Sequence, residues 1–515
     1  MTPTSIAGDN PRSSGDGRLA SARTRRDAVL LALLGIGVMA AYLALERGQI
    51  DVWDGKSMAS VAQNLLQHGS LKQCCRAYGA FPRDPGPYAK FGIGYSLMLV
   101  PLWHFQLTSN PAGATFLGVA NPLLLAAATV VIAKTGMVLG WRRSSAVLAA
   151  LAFAFLTMAP LYSSEFFAEP GVALGSTLML LGLVLWDEKR PRGALVIGIG
   201  ATIAILFRPD SLVLLGPIVA LMMLFRGYRE LIATWRSWIL RLGIPLGLAL
   251  AWTLFYDQLR YGNLFQVGYS GAYDKRGFSN PLGQGVRLLL VSHGKSFFVF
   301  SPILLLAIPG LFLLARRRRS LAVVIVAMFV LRVVFYARWW TPEGGNSWGP
   351  RFLLPLCAVL AIPLGEVFEW LHTVARRVRW PAIVVVAALA ATSAVVQVAS
   401  VLVSYRDIFA EIGDVKTLPK AIQHATVDQR LDKYRWSFGG NQIMWNLKRI
   451  GSREVHMPLY WFQHRASPFG VGMLLLAAIG CVAAICVAVL SDRIEQGRRR
   501  LAVGIAGADR RLGET

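Results

Sequence analysis

Apolar residues in this chain are gathered into runs of roughly 16 to 23, about the length of helix that crosses the hydrocarbon core of a bilayer. Twelve such runs are candidate spans: 28–45, 113–139, 144–161, 170–186, 193–207, 211–225, 238–256, 296–315, 320–337, 352–371, 381–403 and 468–490. The fold class they imply is an all-α polytopic membrane protein. Charge patterning agrees. The 515 residues carry 53 Lys and Arg against 28 Asp and Glu, a formal net charge of +25, which in a soluble chain would point to nucleic acid. Here the arginines lie in short tracts between apolar runs, the signature of inward-facing loops. Of the five cysteines, Cys357, Cys481 and Cys486 lie inside apolar runs, so neither a disulfide framework nor a zinc spacing is present. Cys74 and Cys75 are adjacent and carry no assigned role.

Residues 1–27 hold little apolar bulk and are expected to be disordered in the cytoplasm, retained there by Arg23, Arg25 and Arg26. The first run then reads as an uncleaved signal-anchor. Following the chain outward and back puts "GWRRS", "DEKRPR", "RGYRELIATWRSW", "ARRRRS", "ARRVRW" and the tail 491–515 on the cytoplasmic side. That consistency is lost if 91–105, "FGIGYSLMLVPLWHF", also spans, so this segment reads as an interfacial or re-entrant helix. No repeat at a fixed period is found.

The opposite face receives the long segments, where binding and catalysis usually reside. Residues 46–112 carry Asp51, Asp54, Asp84 and Lys90, and "SSEFFAEPG" carries Glu165 and Glu169. "SHGKS" carries His293 and Lys295, and "RWWTPEGGNSWGPR" ends on Arg351. The segment 404–467, rich in Trp, Tyr and His, is expected to fold over these loops as a lid or acceptor contact.

Within the first outer segment, "DGKSMASVAQNLLQHGS" resembles the start of the first large extracytoplasmic loop of GT-C glycosyltransferases of the protein mannosyltransferase and aminoarabinose transferase type. Asp54 opens an amphipathic helix, Ala59, Ala62 and Leu65 form its stripe, and Gly69 closes it. "YAKFGIGY" resembles that family's Lys-containing segment, and "FAEPGVAL" its acidic-Pro pair at the outer end of a span. Gly55 stands where the family often has Glu, and Ala89 where an acid often precedes the Lys.

The resemblance covers most of 28–360 and implies a GT-C-type transmembrane domain over 28–403. It also implies transfer of a sugar from a polyprenyl phosphate sugar to an extracytoplasmic acceptor, by inverting displacement. The catalytic expectations are Asp54 as base, with Glu169 and Asp51 as further acidic candidates. Lys90 is the expected cation for the leaving phosphate, with Arg351, His293, Lys295 and Arg332 in reserve. The donor being lipid-linked, no cofactor is expected. The His residues show no ligand spacing, so no metal is expected either.

Each residue also has a plainer reading. Asp51, Asp54 and Glu169 are placed where acids cap helices, Lys90 where a lysine reaches headgroups. Arg332, inside an apolar run, is a functional candidate by position unless it binds carbonyls or reaches the outer surface. A multi-pass transporter or lipid flippase would also have about twelve spans, although repeated halves and midplane acids are missing. A non-catalytic relative that keeps the fold is the third possibility.

Overall fold

The computed structural model describes residues 12–73, 88–109, 116–190, 192–213, 235–266, 277–409, 432–451, 459 and 467–512. Cys74, Cys75, Asp84, most of the expected span 211–225, much of its following basic connection and large parts of 404–467 lie outside the described residues.

Among those described, every regular element is helical. Eight helices are long and apolar enough to cross a membrane: Thr24–Ala44, Leu117–Val138, Glu169–Asp187, Ile239–Tyr261, Arg319–Ala337, Arg351–Leu371, Arg376–Leu402 and Pro468–Gly497. Two shorter apolar helices, Arg143–Leu156 and Gly193–Phe207, pack among them. The chain is a multi-pass membrane protein. Arg351–Leu371 is enclosed by its neighbours, whereas Ile239–Tyr261 and Arg376–Leu402 leave most of their apolar surface facing outward.

Several boundaries depart from the sequence reading. The first helix is described over Arg12–Ala44, well inside the stretch expected to be disordered. The last helix, Ser467–Leu512, carries the expected span and most of the expected tail as one element. The run 296–315 is not one helix. It is broken into Phe297–Phe300, a 3₁₀ turn Pro302–Leu306 and Ala307–Arg317, because Pro302 has no N–H to continue the first piece. The run 144–161 likewise ends at Leu156, where Thr157 turns extended before Ala159–Ser164.

Ion pairs gather the basic connections at one end of the bundle. Arg143 bonds Asp27 (2.6 Å) and Glu495 (2.7 Å), and the backbone N–H groups of Arg143 and Ser144 donate to Asp492. Arg318 pairs with Asp187 (2.7 Å) and Glu188 (3.2 Å), and Arg317 with Glu366 (3.4 Å).

At the other end two helices lie beside the bundle. Trp53–His68 and Ile93–Ser109 pack on each other: Trp103 Nε1 donates to Ala59 O (2.8 Å) and Ser96 Oγ to Met58 O (2.9 Å). Glycines let this pair press against the spans. A Cβ on Gly55 would stand 2.3 Å from Phe166 Cβ, and one on Gly92 would stand 2.4 Å from Leu206 O. The departure from the family pattern at Gly55 therefore has a steric reason: no larger residue fits between this helix and the Glu165–Ala168 turn.

Candidate functional site

Trp53–His68 starts after an extended Val52 and stops at Gly69, whose φ of 64° is the left-handed conformation that glycine adopts without strain. Met58, Ala59, Val61 and Ala62 bury one face. Asp54 falls in the first turn, not at the cap position, and its side chain makes no capping bond. The carboxylate instead accepts from Arg351 Nη1 at 2.8 Å. Glu169 is likewise the first residue of its helix and not its cap. It is 1% exposed, accepts from Arg208 Nη1 at 2.6 Å, and lies 3.6 Å from Arg351 Nε.

From these contacts a chain of alternating charge runs Asp54, Arg351, Glu169, Arg208, Asp210. Arg208 Nε donates to Asp210 (3.1 Å), whose second oxygen accepts from the Tyr336 hydroxyl. Burial alone would raise the Asp210 carboxyl; Arg208, Arg332 and the Tyr336 hydroxyl outweigh it and hold it below the usual range. Aromatic faces carry the guanidinium groups, with Arg351 4.3 Å from the Phe167 ring centre and Arg208 4.8 Å from that of Phe352. A small cleft of about 10 Å³, room for about one water molecule, lies against this chain. Asp54, Glu169, Arg208 and Asp210 form its polar side, and Phe91 and Phe207 are among its apolar lining.

The structure thus brings together Asp54, Glu169 and Arg351 from the sequence reading. Lys90 belongs to the segment that supplies Phe91 and Gly92 to the cleft, its Nζ 5.5 Å from the Phe91 ring centre. Arg332 binds a carbonyl, Nε donating to Phe352 O (2.6 Å), with its charge beside Asp210.

Three candidates stand outside this chain of charges. Asp51 pairs with Arg406 (3.2 Å), which also bonds Glu165. Glu165 holds Arg47 at 2.9 Å, and burial pushes its carboxyl up to about 7 against the pull of Arg47 and Arg351. His293 is exposed, and its recorded hydrogen bond is through its backbone oxygen, to Asn441 Nδ2 (2.9 Å). Lys295 is fully buried, and Nζ donates to Ser347 O (2.5 Å), Gly349 O (3.2 Å) and Gln442 Oε1 (3.2 Å). An ammonium has three protons, so none of them is left for a phosphate.

Arg208 and Asp210 escaped the sequence reading because "FRPDS" looks like a plain turn between two apolar runs. The available signal was an arginine and an aspartate flanking a proline at the outer end of a span. No group of three or more His, Cys, Asp or Glu is placed to hold a metal ion among the described residues.

No protein-family model matches the chain, and no curated protein does. Solved structures do. ArnT from Cupriavidus metallidurans in the apo state matches with a TM-score of 0.52 at 14% identity, covering 89% of this chain and 77% of ArnT. The structure of that protein bound to undecaprenyl phosphate matches with a TM-score of 0.51 at the same identity and coverage. The arabinosyltransferase EmbB from Mycobacterium smegmatis matches at a TM-score of 0.37, too low to add weight. The chain therefore shares the fold of ArnT.

Proposed function

We propose that this protein is a membrane glycosyltransferase that passes a sugar from a polyprenyl phosphate sugar to an extracytoplasmic acceptor with inversion. One observation carries the reading: in a fold like that of a protein solved with undecaprenyl phosphate bound, a carboxylate that lines the cleft, Asp54, is held by the guanidinium of Arg351. Such a pair supplies the two things this displacement needs. An acceptor hydroxyl is a weak nucleophile until a carboxylate takes its proton, and the departing phosphate gains charge that a fixed cation stabilises more in the transition state than in the ground state.

Asp54 is the base. Arg351 and Lys90 face the leaving phosphate, the guanidinium offering a fork and the ammonium a point charge. A phosphodiester arriving at Arg351 competes with Asp54 for it, and the exchange leaves the carboxylate free to accept a proton. Glu169, pinned by Arg208, holds Arg351 in place and orients sugar or acceptor hydroxyls. The cleft end faces outward and the end that gathers the basic tracts faces the cytoplasm, together with both termini. No cofactor or metal takes part in this scheme.

The test uses the purified protein in vesicles with a radiolabelled polyprenyl phosphate sugar and envelope extracts as acceptor. Release of polyprenyl phosphate with the label on an acceptor supports the reading. Movement of intact donor across the bilayer without bond cleavage overturns it and makes the chain a flippase. Mass spectrometry of envelope glycolipids and glycans from a deletion strain then identifies sugar and acceptor.

A further inference from the structure

We infer that Arg260 is a positioning residue that fixes the segment carrying Lys90 at the mouth of the cleft. This rests on the reading of Lys90 as a phosphate contact. Arg260 lies in the last turn of Ile244–Tyr261, 170 positions along the chain from Lys90. Its Nη1 donates to Ala89 O (2.7 Å) and to Phe91 O (2.9 Å), the carbonyls on either side of Lys90. Nη2 bonds the Asp257 carboxylate one turn back, and the guanidinium sits 4.1 Å from the Tyr256 ring centre and 4.9 Å from that of Tyr261. The residue is 9% exposed, and its Nε is buried without a hydrogen-bond partner.

Keeping a guanidinium this dry costs free energy unless its donors meet acceptors. Arg260 meets that cost with one carboxylate and two backbone oxygens, and both oxygens belong to the short stretch that enters Ile93–Ser109. Anchoring the residues before and after Lys90 restricts the backbone that carries its side chain. The following Gly92 is pressed on Leu206 and Phe207, so the other side of the segment is fixed too. A lysine on such a base spends less conformational entropy on reaching a phosphate at the cleft than one on a free loop.

Arg260→Lys keeps the charge but loses the planar fork that reaches two carbonyls. The expected result is a rise of about tenfold in the apparent donor constant, on the order of one charged hydrogen bond, with the acceptor constant unmoved. In a Lys90→Ala background the same change should add nothing, since there is no side chain left to aim. Hydrogen exchange at the amides of residues 88–93 should also speed up, which reads the clamp without activity. An unchanged donor constant or unchanged exchange, with Lys90→Ala itself impaired, overturns the clamp and makes Arg260 a fold residue. Full additivity with Lys90→Ala overturns it in another way, putting Arg260 on the phosphate. A Lys90→Ala enzyme with a normal donor constant sinks the phosphate reading itself, and faster exchange alone would not save the inference. Should Arg260→Lys not fold, Asp257→Asn loosens the guanidinium while leaving its fork, and the same three measurements apply.

Discussion

Two polar assemblies meet at Arg351 and use it differently. Its guanidinium serves the cleft from behind, bonded to Asp54 and beside Glu169, which both line it. Its backbone N–H belongs to a closed clasp, donating to Glu343 O at 3.0 Å. In that clasp Arg435 donates twice to one Glu343 oxygen (2.9 and 2.7 Å), and Lys295 ties Ser347 and Gly349 to Gln442, the first residue of Gln442–Arg449. Tyr162 adds a bond to Trp348 O (2.6 Å). Asp54 in the first assembly lines a small cleft and keeps part of its surface exposed, so a ligand can compete for its partner. Lys295 in the second has each donor taken by protein oxygen, so its hydrogen bonds hold the loop that presents Arg351. The difference shows that a cation's role depends on which acceptors enclose it, not on its type.

The largest effect expected is at the cleft. Asp54→Asn keeps shape and removes the base, so turnover should fall on the order of a hundredfold or more while donor binding stays nearly intact. Single-turnover rates beside a donor-binding isotherm check this, and parallel loss of donor binding would move Asp54 into a purely architectural role with Arg351. Next comes Lys90→Ala, which should weaken donor binding by about tenfold and slow the chemical step as well, because phosphate is present in both states and more charged in the transition state. A change confined to the acceptor constant would place Lys90 elsewhere.

At the clasp the expected loss is of stability. Lys295→Met should lower unfolding free energy in detergent by about 1–3 kcal/mol, through three oxygens losing their donor, with turnover per folded molecule within a few-fold of normal. Loss of chemistry without loss of stability would place Lys295 at the phosphate after all. The same variant has a pH signature. Burial pushes the Lys295 ammonium down to about 7 from its ordinary 10.5; Glu343 pulls it up, and Arg435 and Arg351 push it further down. Between those values the unfolded chain binds more protons than the folded one, so the parent chain's stability from this group rises from about pH 7 to pH 10.5 and is lost as pH falls through 7. Lys295→Met should lack that rise. The smallest expected effect is none: EDTA should leave turnover unchanged, fixed cations holding the phosphate. Loss restored by Mg²⁺ or Mn²⁺ would recast Asp54 and Glu169 as ligands, and with them Asp51.

Much of the cleft could be read along the chain. Asp54, Glu169 and Arg351 stand at the heads of apolar or amphipathic stretches, where an acid or arginine is conspicuous, and the helix from Trp53 to the Gly69 cap follows from local spacing. The clasp could not be read. "SHGKS" offers a histidine and a lysine in a short polar turn, the composition expected of a phosphate contact, and only the packing of Gln442 and the 338–351 loop shows Lys295 enclosed. Arg260 was silent for a similar reason: its pair with Asp257 reads as an ordinary helix-surface contact, and its other two partners are backbone oxygens that no residue pattern displays.

The sequence by itself determined the membrane class, the placement of most spans and the end of the bundle that gathers the basic tracts. Hydropathy is a sum over a local window, and transfer of a run into lipid depends on little else. Tertiary structure decided where the spans break, as at Pro302, and which charges meet. Asp54 finds Arg351 across 297 positions, and Lys295 finds Gln442 across 147. Such pairings depend on how the helices pack around Arg351–Leu371, and the strength of each pairing depends on how much water that packing removes.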